Sequence, residues 1–156
     1  MTSNAIPTIQ DISQGEKTYL AENWYQVWKT TGETSDGRLD TWLEVTPPNV
    51  GPPEHMHDRY DESFWVVKGT FLFKAAGKFT TVTEGAWIFI PHGQPHTFRN
   101  IGTESGQLLI QAFPGGGMNK YFEEVSAIAM PGPLDPQALQ PIDKRYGITV
   151  VGPPLA

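Results

Sequence analysis

H-M-H-D-R-Y-D-E-S-F-W-V-V-K-G, from His55 to Gly69, and G-A-W-I-F-I-P-H-G-Q-P-H-T-F-R-N, from Gly85 to Asn100, decide the reading of this chain. Together the two segments hold all four histidines of the sequence. His55, His57, Glu62 and His96 form a candidate metal-ligating set, because imidazole and carboxylate together suit a borderline divalent transition ion. Side chains alternate faces along a strand, so His55 and His57 share one face. Asp58–Asp61 reads as a bend, and Glu62–Lys68 as a second strand. His96, Phe98 and Asn100 share one face of a third. Four ligands on three strands converge only if the sheet curls around them. A barrel or a closed sandwich is therefore expected.

The 156 residues are enough for one domain with a sizeable core. With 16 glycines and 14 prolines, turns are frequent and long helices are not expected. Aromatic residues make up 12%, which fits a lined cavity or a buried interface. The net charge of −6 comes without a basic patch, which argues against nucleic acid and against polyanionic substrates. The chain has no cysteine, so disulfides, thiolate metal sites and a cysteine nucleophile are excluded. Met1–Leu20 lacks the pattern of a secretory signal, and no stretch has the roughly 20 apolar residues of a membrane helix. A cytoplasmic protein without a membrane partner is expected.

Met1–Gly15 reads as a loosely attached arm and Lys17–Thr30 as extended strands. Thr31–Asp40 reads as a hairpin loop. Thr41–Thr46 alternates and fits a strand. Pro47–Pro53, with four prolines, is an irregular approach to His55. Thr70–Ala75, Lys78–Val82, Ala86–Ile90 and Gln107–Phe113 continue the series of short strands, with Ala86–Ile90 expected to be buried on both sides. Such strands, broken by Gly and Pro, indicate an all-β sandwich or barrel. After Pro114, the run G-G-G-M-N-K reads as flexible and Tyr121–Ile128 as a short helix. Pro131–Pro136 reads as a linker. Asp135 is the expected N-cap of a helix reaching Tyr146, with Pro136 in its first turn and Gly147 ending it. Pro141 predicts a kink or two separate turns. Ile148–Val151 fits an edge strand. By segment, residues 1–40 form an arm and completing strands, 41–114 the core, and 115–156 a flap, short helix and edge strand of the same domain.

The two motifs resemble those of the cupin superfamily. His55, His57, Glu62 and Gly69 match the first motif, with four residues between His57 and Glu62. Gly85, Pro91, Gly93, His96 and Asn100 match the second at every position. The first motif's opening glycine departs: Gly51 stands four residues before His55 where six are usual. The resemblance implies an all-β jelly-roll barrel, with a short helical C-terminal extension in this chain. It also implies an internal metal and a family in which homodimers are common. The P-P-x-H-x-H lead-in at Pro52–His57 and the tail R-Y-G-I-T-V-V-G-P-P at Arg145–Pro154 resemble small bacterial proteins described as quercetin dioxygenase-like.

Within this frame His55, His57, Glu62 and His96 are the expected ligands. Glu62 is also the candidate general base if it detaches when substrate binds. Phe64 and Phe98 share parity with Glu62 and His96 and are expected to face the cavity, together with Phe113. Gln111, in register with Phe113, is a candidate hydrogen-bonding partner of substrate. Tyr121 and Phe122 follow three glycines, as a mobile flap over the mouth would. Trp65 and Trp87 alternate to the other face and suit a dimer interface or sheet packing. His92 reads as a surface loop residue, and Asn100 as a hydrogen-bonding residue at the rim. Glu54 and Asp58–Asp61 read as a solvated acidic loop, with a proton relay through Asp61 conceivable.

Three imidazoles and one carboxylate fill a tetrahedral site and leave two positions open in an octahedral one. Iron, manganese, nickel, cobalt and zinc are all compatible. A dioxygenase for a small phenolic or enolic, flavonol-like substrate is the leading expectation. A non-redox isomerase, lyase or cyclase and a non-catalytic small-molecule-binding module are the alternatives.

Overall fold

The computed structural model describes residues 3–130 and 135–156. Among them the chain first forms β1 (Lys17–Ala21), β2 (Trp24–Thr30), β3 (Asp40–Thr46) and β4 (Glu54–His57). Next come β5 (Asp61–Lys68), β6 (Thr70–Ala75), β7 (Lys78–Thr83), β8 (Trp87–Ile90), β9 (His96–Asn100) and β10 (Gly106–Phe113). Two helices, α1 (Met118–Ala129) and α2 (Pro136–Arg145), precede the last strand, β11 (Ile148–Gly152). One sheet has the order β1-β2-β3-β10-β5-β8 and the other β11-β4-β9-β6-β7. Neighbouring strands run antiparallel. This is the jelly-roll architecture expected from the two motifs.

Alternation decides which residues fill the space between the sheets. On β10, Leu108, Ile110 and Ala112 are buried in the core. Opposite them, Phe71, Phe73 and Phe98 pack edge-on or tilted against one another and against Phe64, with ring centroids 5.2–6.1 Å apart. Burial of each such ring contributes about 1.5–3 kcal/mol. Asn100 has no solvent exposure. Its Nδ2 donates to the carbonyls of Thr46 (2.9 Å) and Glu104 (2.8 Å), and its Oδ1 accepts from Gly102 N–H (2.9 Å). The side chain thus ties β9 to the end of β3 in the opposite sheet.

The irregular Pro47–Pro53 segment runs along β9. Asn49 N–H donates to Asn100 O, Asn100 N–H to Val50 O, and Thr97 Oγ1 to Pro52 O. Gly51 lies so close to β9 that a Cβ there would sit 1.7 Å from Phe98 O. A close backbone approach, not a turn, therefore requires this glycine.

Several expectations need correction. Ala86–Ile90 is not buried on both sides. Trp87 and Phe89 are 56% and 49% exposed, because β8 is an edge strand whose outer face stays open. α2 is one helix despite Pro141. A proline at that position costs one hydrogen bond, to Gln137 O, and the Asp135 cap on Gln137 N–H (2.9 Å) holds the first turn. The run after Pro114 is not free. Gly116, Gly117 and Met118 donate their N–H groups to Asp40 Oδ2, and Gly32 N–H donates to Asp40 Oδ1. Of the linker expected at Pro131–Pro136, residues 131–134 lie outside the described residues.

Candidate metal centre and its cavity

The four candidate ligands come from both sheets. His55 and His57 lie on β4 and His96 on β9, with His55 paired directly to His96. Glu62 reaches across from β5 in the other sheet. Its Oε2 lies 3.1 Å from His57 Nε2 and 3.0 Å from His96 Nε2. One donor atom from each of the four residues falls within 4.8 Å of all the others. His57, Glu62 and His96 are buried and His55 is half-buried.

Backbone carbonyls set the imidazole tautomers. His55 Nδ1 donates to Pro53 O at 2.8 Å, and His96 Nδ1 to Gln94 O at 3.0 Å. A carbonyl only accepts, so Nδ1 of both rings carries a proton and Nε2 is the atom turned to the cluster. The His57 ring lies against Tyr60 with centroids 4.3 Å apart, and its Nδ1 is buried without a hydrogen-bond partner.

The proton affinities follow from the same packing. Burial pushes the His55 imidazole down to about 3, and the neighbouring imidazoles of His96 and His57 add to this. Burial alone would push Glu62 up. The charges and hydrogen bonds of His57 and His96 outweigh it and hold the carboxyl well below the usual range. His96 is raised: burial opposes its charge, but the bond to Glu62 prevails. Nε2 atoms turned toward a carboxylate that resists protonation form a set that fits a divalent ion, which would replace the protons they share.

The cluster opens on a cavity of about 130 Å³. Phe64, Phe98 and Ile110 line it from the barrel, and Met118, Tyr121, Phe122 and Val125 of α1 close it from above. Asp40 pins the N-terminus of α1. Tyr121 Oη donates to Asp143 Oδ1 of α2 at 3.0 Å, so the two covering helices are joined beside the cavity. Burial raises Asp143, and the bond from Tyr121 opposes the rise. A larger groove of about 680 Å³ adjoins the cavity and shares Trp24, Pro53, Leu139, Asp143, Ile148 and Val150 with it.

Glu44 is a second buried carboxylate in the cavity wall, 3% exposed. Its Oε1 accepts from Trp24 Nε1 and from Gln26 Nε2 (3.1 Å). Its Oε2 accepts from Gln26 Nε2 (3.0 Å) and Trp42 Nε1 (3.1 Å). Burial pushes the carboxyl up to about 7. The bonds from Gln26, Trp24 and Trp42 pull it down, and the charge of Glu62 adds to the rise.

Most of the residues singled out from sequence meet at this place. Phe64, Phe98 and Tyr121 line the cavity with His55, His57 and Glu62, and His96 completes the cluster. Gln111 and Phe113 do not face the cavity. They share the outer face of β10, where Gln111 accepts from Ser63 Oγ (3.4 Å) and Phe113 stacks on Phe89. β10 carries apolar residues on both faces, so its pattern does not tell inside from outside. Glu54 belongs to β4 and pairs with Lys74 at 2.7 Å instead of lying in a solvated loop. Tyr60, also placed in that loop, is 2% exposed under His57. His92 is exposed, as expected, and Asp61 anchors it by accepting from its backbone N–H and Nδ1 at 2.8 Å. Those bonds hold Asp61 below the usual carboxylate range.

Asp40, Glu44 and Tyr60 were not picked out as site residues. Glu44 had a signal: Trp42, Glu44 and Thr46 share strand parity, which sets an acid on the same face as a tryptophan. Asp40 and Tyr60 carry no such mark, because their partners are distant in sequence.

Residues 42–111 match the Cupin domain family model. The matched stretch contains both histidine-bearing motifs and the strands β4 to β9 of the jelly roll. Comparison with curated protein sequences gives no significant match. Among solved structures, an RmlC-like cupin from Shewanella frigidimarina aligns with TM-score 0.62 and 16% identity, over 75% of this chain and 99% of that one. A predicted oxalate decarboxylase from Thermotoga maritima aligns with TM-score 0.60 and 16% identity, over 70% and 99%. The polyketide cyclase RemF from Streptomyces resistomycificus aligns with TM-score 0.59 and 19% identity, over 69% and 80%. At these identities the likeness is one of fold. No helix among the described residues is long and apolar enough to cross a membrane.

The raised Glu44 has a consequence for stability. Its folded pKa lies above its unfolded value, so its contribution is fully present below about pH 4.5 and is lost as pH rises through about 7. Relative to Glu44→Gln, the natural protein should lose about 2–3 kcal/mol of stability between pH 5 and pH 8. Urea unfolding of both proteins at the two pH values measures this. Parallel pH profiles would contradict it.

Proposed function

We propose that this chain is a metal-dependent cupin dioxygenase for a small phenolic or enolic substrate. One observation carries the reading: three imidazoles and a carboxylate converge on one wall of an apolar, aromatic-lined cavity. His55, His57, Glu62 and His96 would hold an iron, manganese, nickel, cobalt or zinc ion. Such an ion supplies Lewis acidity for a bound hydroxyl and, when redox-active, a route for dioxygen.

The chain's own residues do the rest. Once detached from the imidazoles that depress its proton affinity, Glu62 would take the proton of the substrate hydroxyl. Phe64 and Phe98 orient a flat ring against the histidines. Met118, Tyr121 and Phe122 keep water from the ring. The cavity volume of about 130 Å³ suits a single aromatic ring. A flavonol would therefore place its remaining rings in the adjoining groove. Among the described residues no lysine or arginine lines the cavity, which disfavours sugar phosphates and dicarboxylates.

Oxygen uptake by metal-loaded protein with catechols and flavonols, aerobic against anaerobic, tests this reading. Uptake coupled to substrate loss is expected, and Glu62→Gln should lower kcat/KM about 10²–10⁴-fold. Turnover without oxygen would assign the site to isomerase, lyase or cyclase chemistry. No turnover with any of the five metals would remove the enzyme reading.

We also propose that a second copy of the chain covers the outer face of the six-stranded sheet. Trp65, Trp87 and Phe89, 45%, 56% and 49% exposed, stand there together, with Trp65 and Trp87 6.3 Å apart and Phe89 stacked on Phe113. Such a contiguous apolar patch marks an interaction surface. Light scattering should give twice the 17.3 kDa chain mass, and Trp65→Glu with Trp87→Glu should return it to 17.3 kDa. A monomeric natural protein would contradict the assignment.

A further inference from the structure

Glu62 has three imidazoles around it, whereas Glu44 has only neutral partners. Its four accepted hydrogen bonds come from two indoles and one amide. Buried carboxylates are ordinarily paired with a cation. No lysine or arginine stands in the cavity wall among the described residues, and the remaining charged side chains there, Glu62 and Asp143, are also acidic. Behind Glu44, Gln26 Oε1 is buried without a donor and adds further negative potential. Glu62 is met by the imidazoles and by the ion they would hold, and Asp143 by the Tyr121 hydroxyl, so Glu44 is the carboxyl of this wall with only indole and amide partners.

The surrounding walls are of a kind that accepts a cation. Trp24, Trp42, Tyr121 and Phe122 line the same space, and aromatic faces attract ammonium groups. We propose that Glu44 is a specificity-determining residue that makes the cavity select ligands with a protonated amine on a single aromatic ring over their alcohol and carboxylate counterparts. A cation brought beside Glu44 also favours its ionised form, which burial alone opposes. The inference rests on the reading of the cavity as a site for phenols, and it is independent of the oxygen chemistry.

Three probes share one phenol ring and differ only in the charge of the tail: tyramine, tyrosol and 3-(4-hydroxyphenyl)propionate. Calorimetric titration of the metal-loaded protein should show tyramine binding at least tenfold tighter than tyrosol, and the carboxylate at least tenfold weaker. In Glu44→Gln the tyramine-to-tyrosol ratio should fall to within about threefold of one, while tyrosol affinity changes less than threefold. Asp143→Asn should keep most of the amine preference. Tyrosol and tyramine binding equally to the natural protein would overturn the role of Glu44 and leave the phenol site intact. A preference lost in Asp143→Asn but kept in Glu44→Gln would transfer the role to Asp143 and also overturn the proposal. Binding of none of the three would overturn the phenol site and the inference together. If Glu44→Gln does not fold, the order of the three affinities in the natural protein still decides the charge selectivity.

Discussion

A carboxylate buried between two β-sheets has to be met by positive charge or by hydrogen-bond donors, and Glu62 is met by imidazoles. Everything around the cavity is arranged for that encounter. β4 and β9 bring the histidines together in one sheet, and β5 brings the acid from the other. The cluster thus joins the two layers at the point where the aromatic core gives way to open space. Carbonyls of Pro53 and Gln94 orient two of the rings before any ligand arrives. The proline-rich lead-in therefore has a chemical purpose as well as a structural one.

Glu44 and Glu62 share one cavity and differ in proton affinity because their neighbours differ. Indoles and an amide surround Glu44 and do not offset its burial, so it titrates near neutrality. Imidazoles surround Glu62 and more than offset its burial. Two carboxyls with proton affinities pushed apart are a common basis for dividing roles within a site. Above them, Asp40 holds the start of α1 and the Tyr121–Asp143 bond joins α1 to α2. The cover is therefore fastened at identifiable atoms.

The sequence was most legible where chemistry and periodicity coincide. His55 and His57 by parity, Glu62 at the start of a strand and His96 after a proline loop led to the cluster and to a curled sheet. Asp135, Pro136 and Gly147 bounded α2 through capping alone. Legibility failed where both faces of a strand are apolar. Gln111 and Phe113 were correctly given one face of β10, but that face points outward. β8 looked like a buried strand because Trp87 and Phe89 belong to an apolar outer surface. The three glycines after Pro114 read as flexible, because the carboxylate that gathers the N–H groups of Gly116 and Gly117 lies some 75 residues earlier.

The chemistry of the cavity depends on whether His55, His57, Glu62 and His96 hold one ion. Elemental analysis of protein purified without chelator or nickel resin measures this directly, on the natural chain and on His55→Ala and His96→Ala. About one divalent transition ion per natural chain is predicted, with less than about a tenth of that in either variant. A natural protein that stays metal-free after reconstitution, or a His96→Ala variant that keeps its ion, would contradict it.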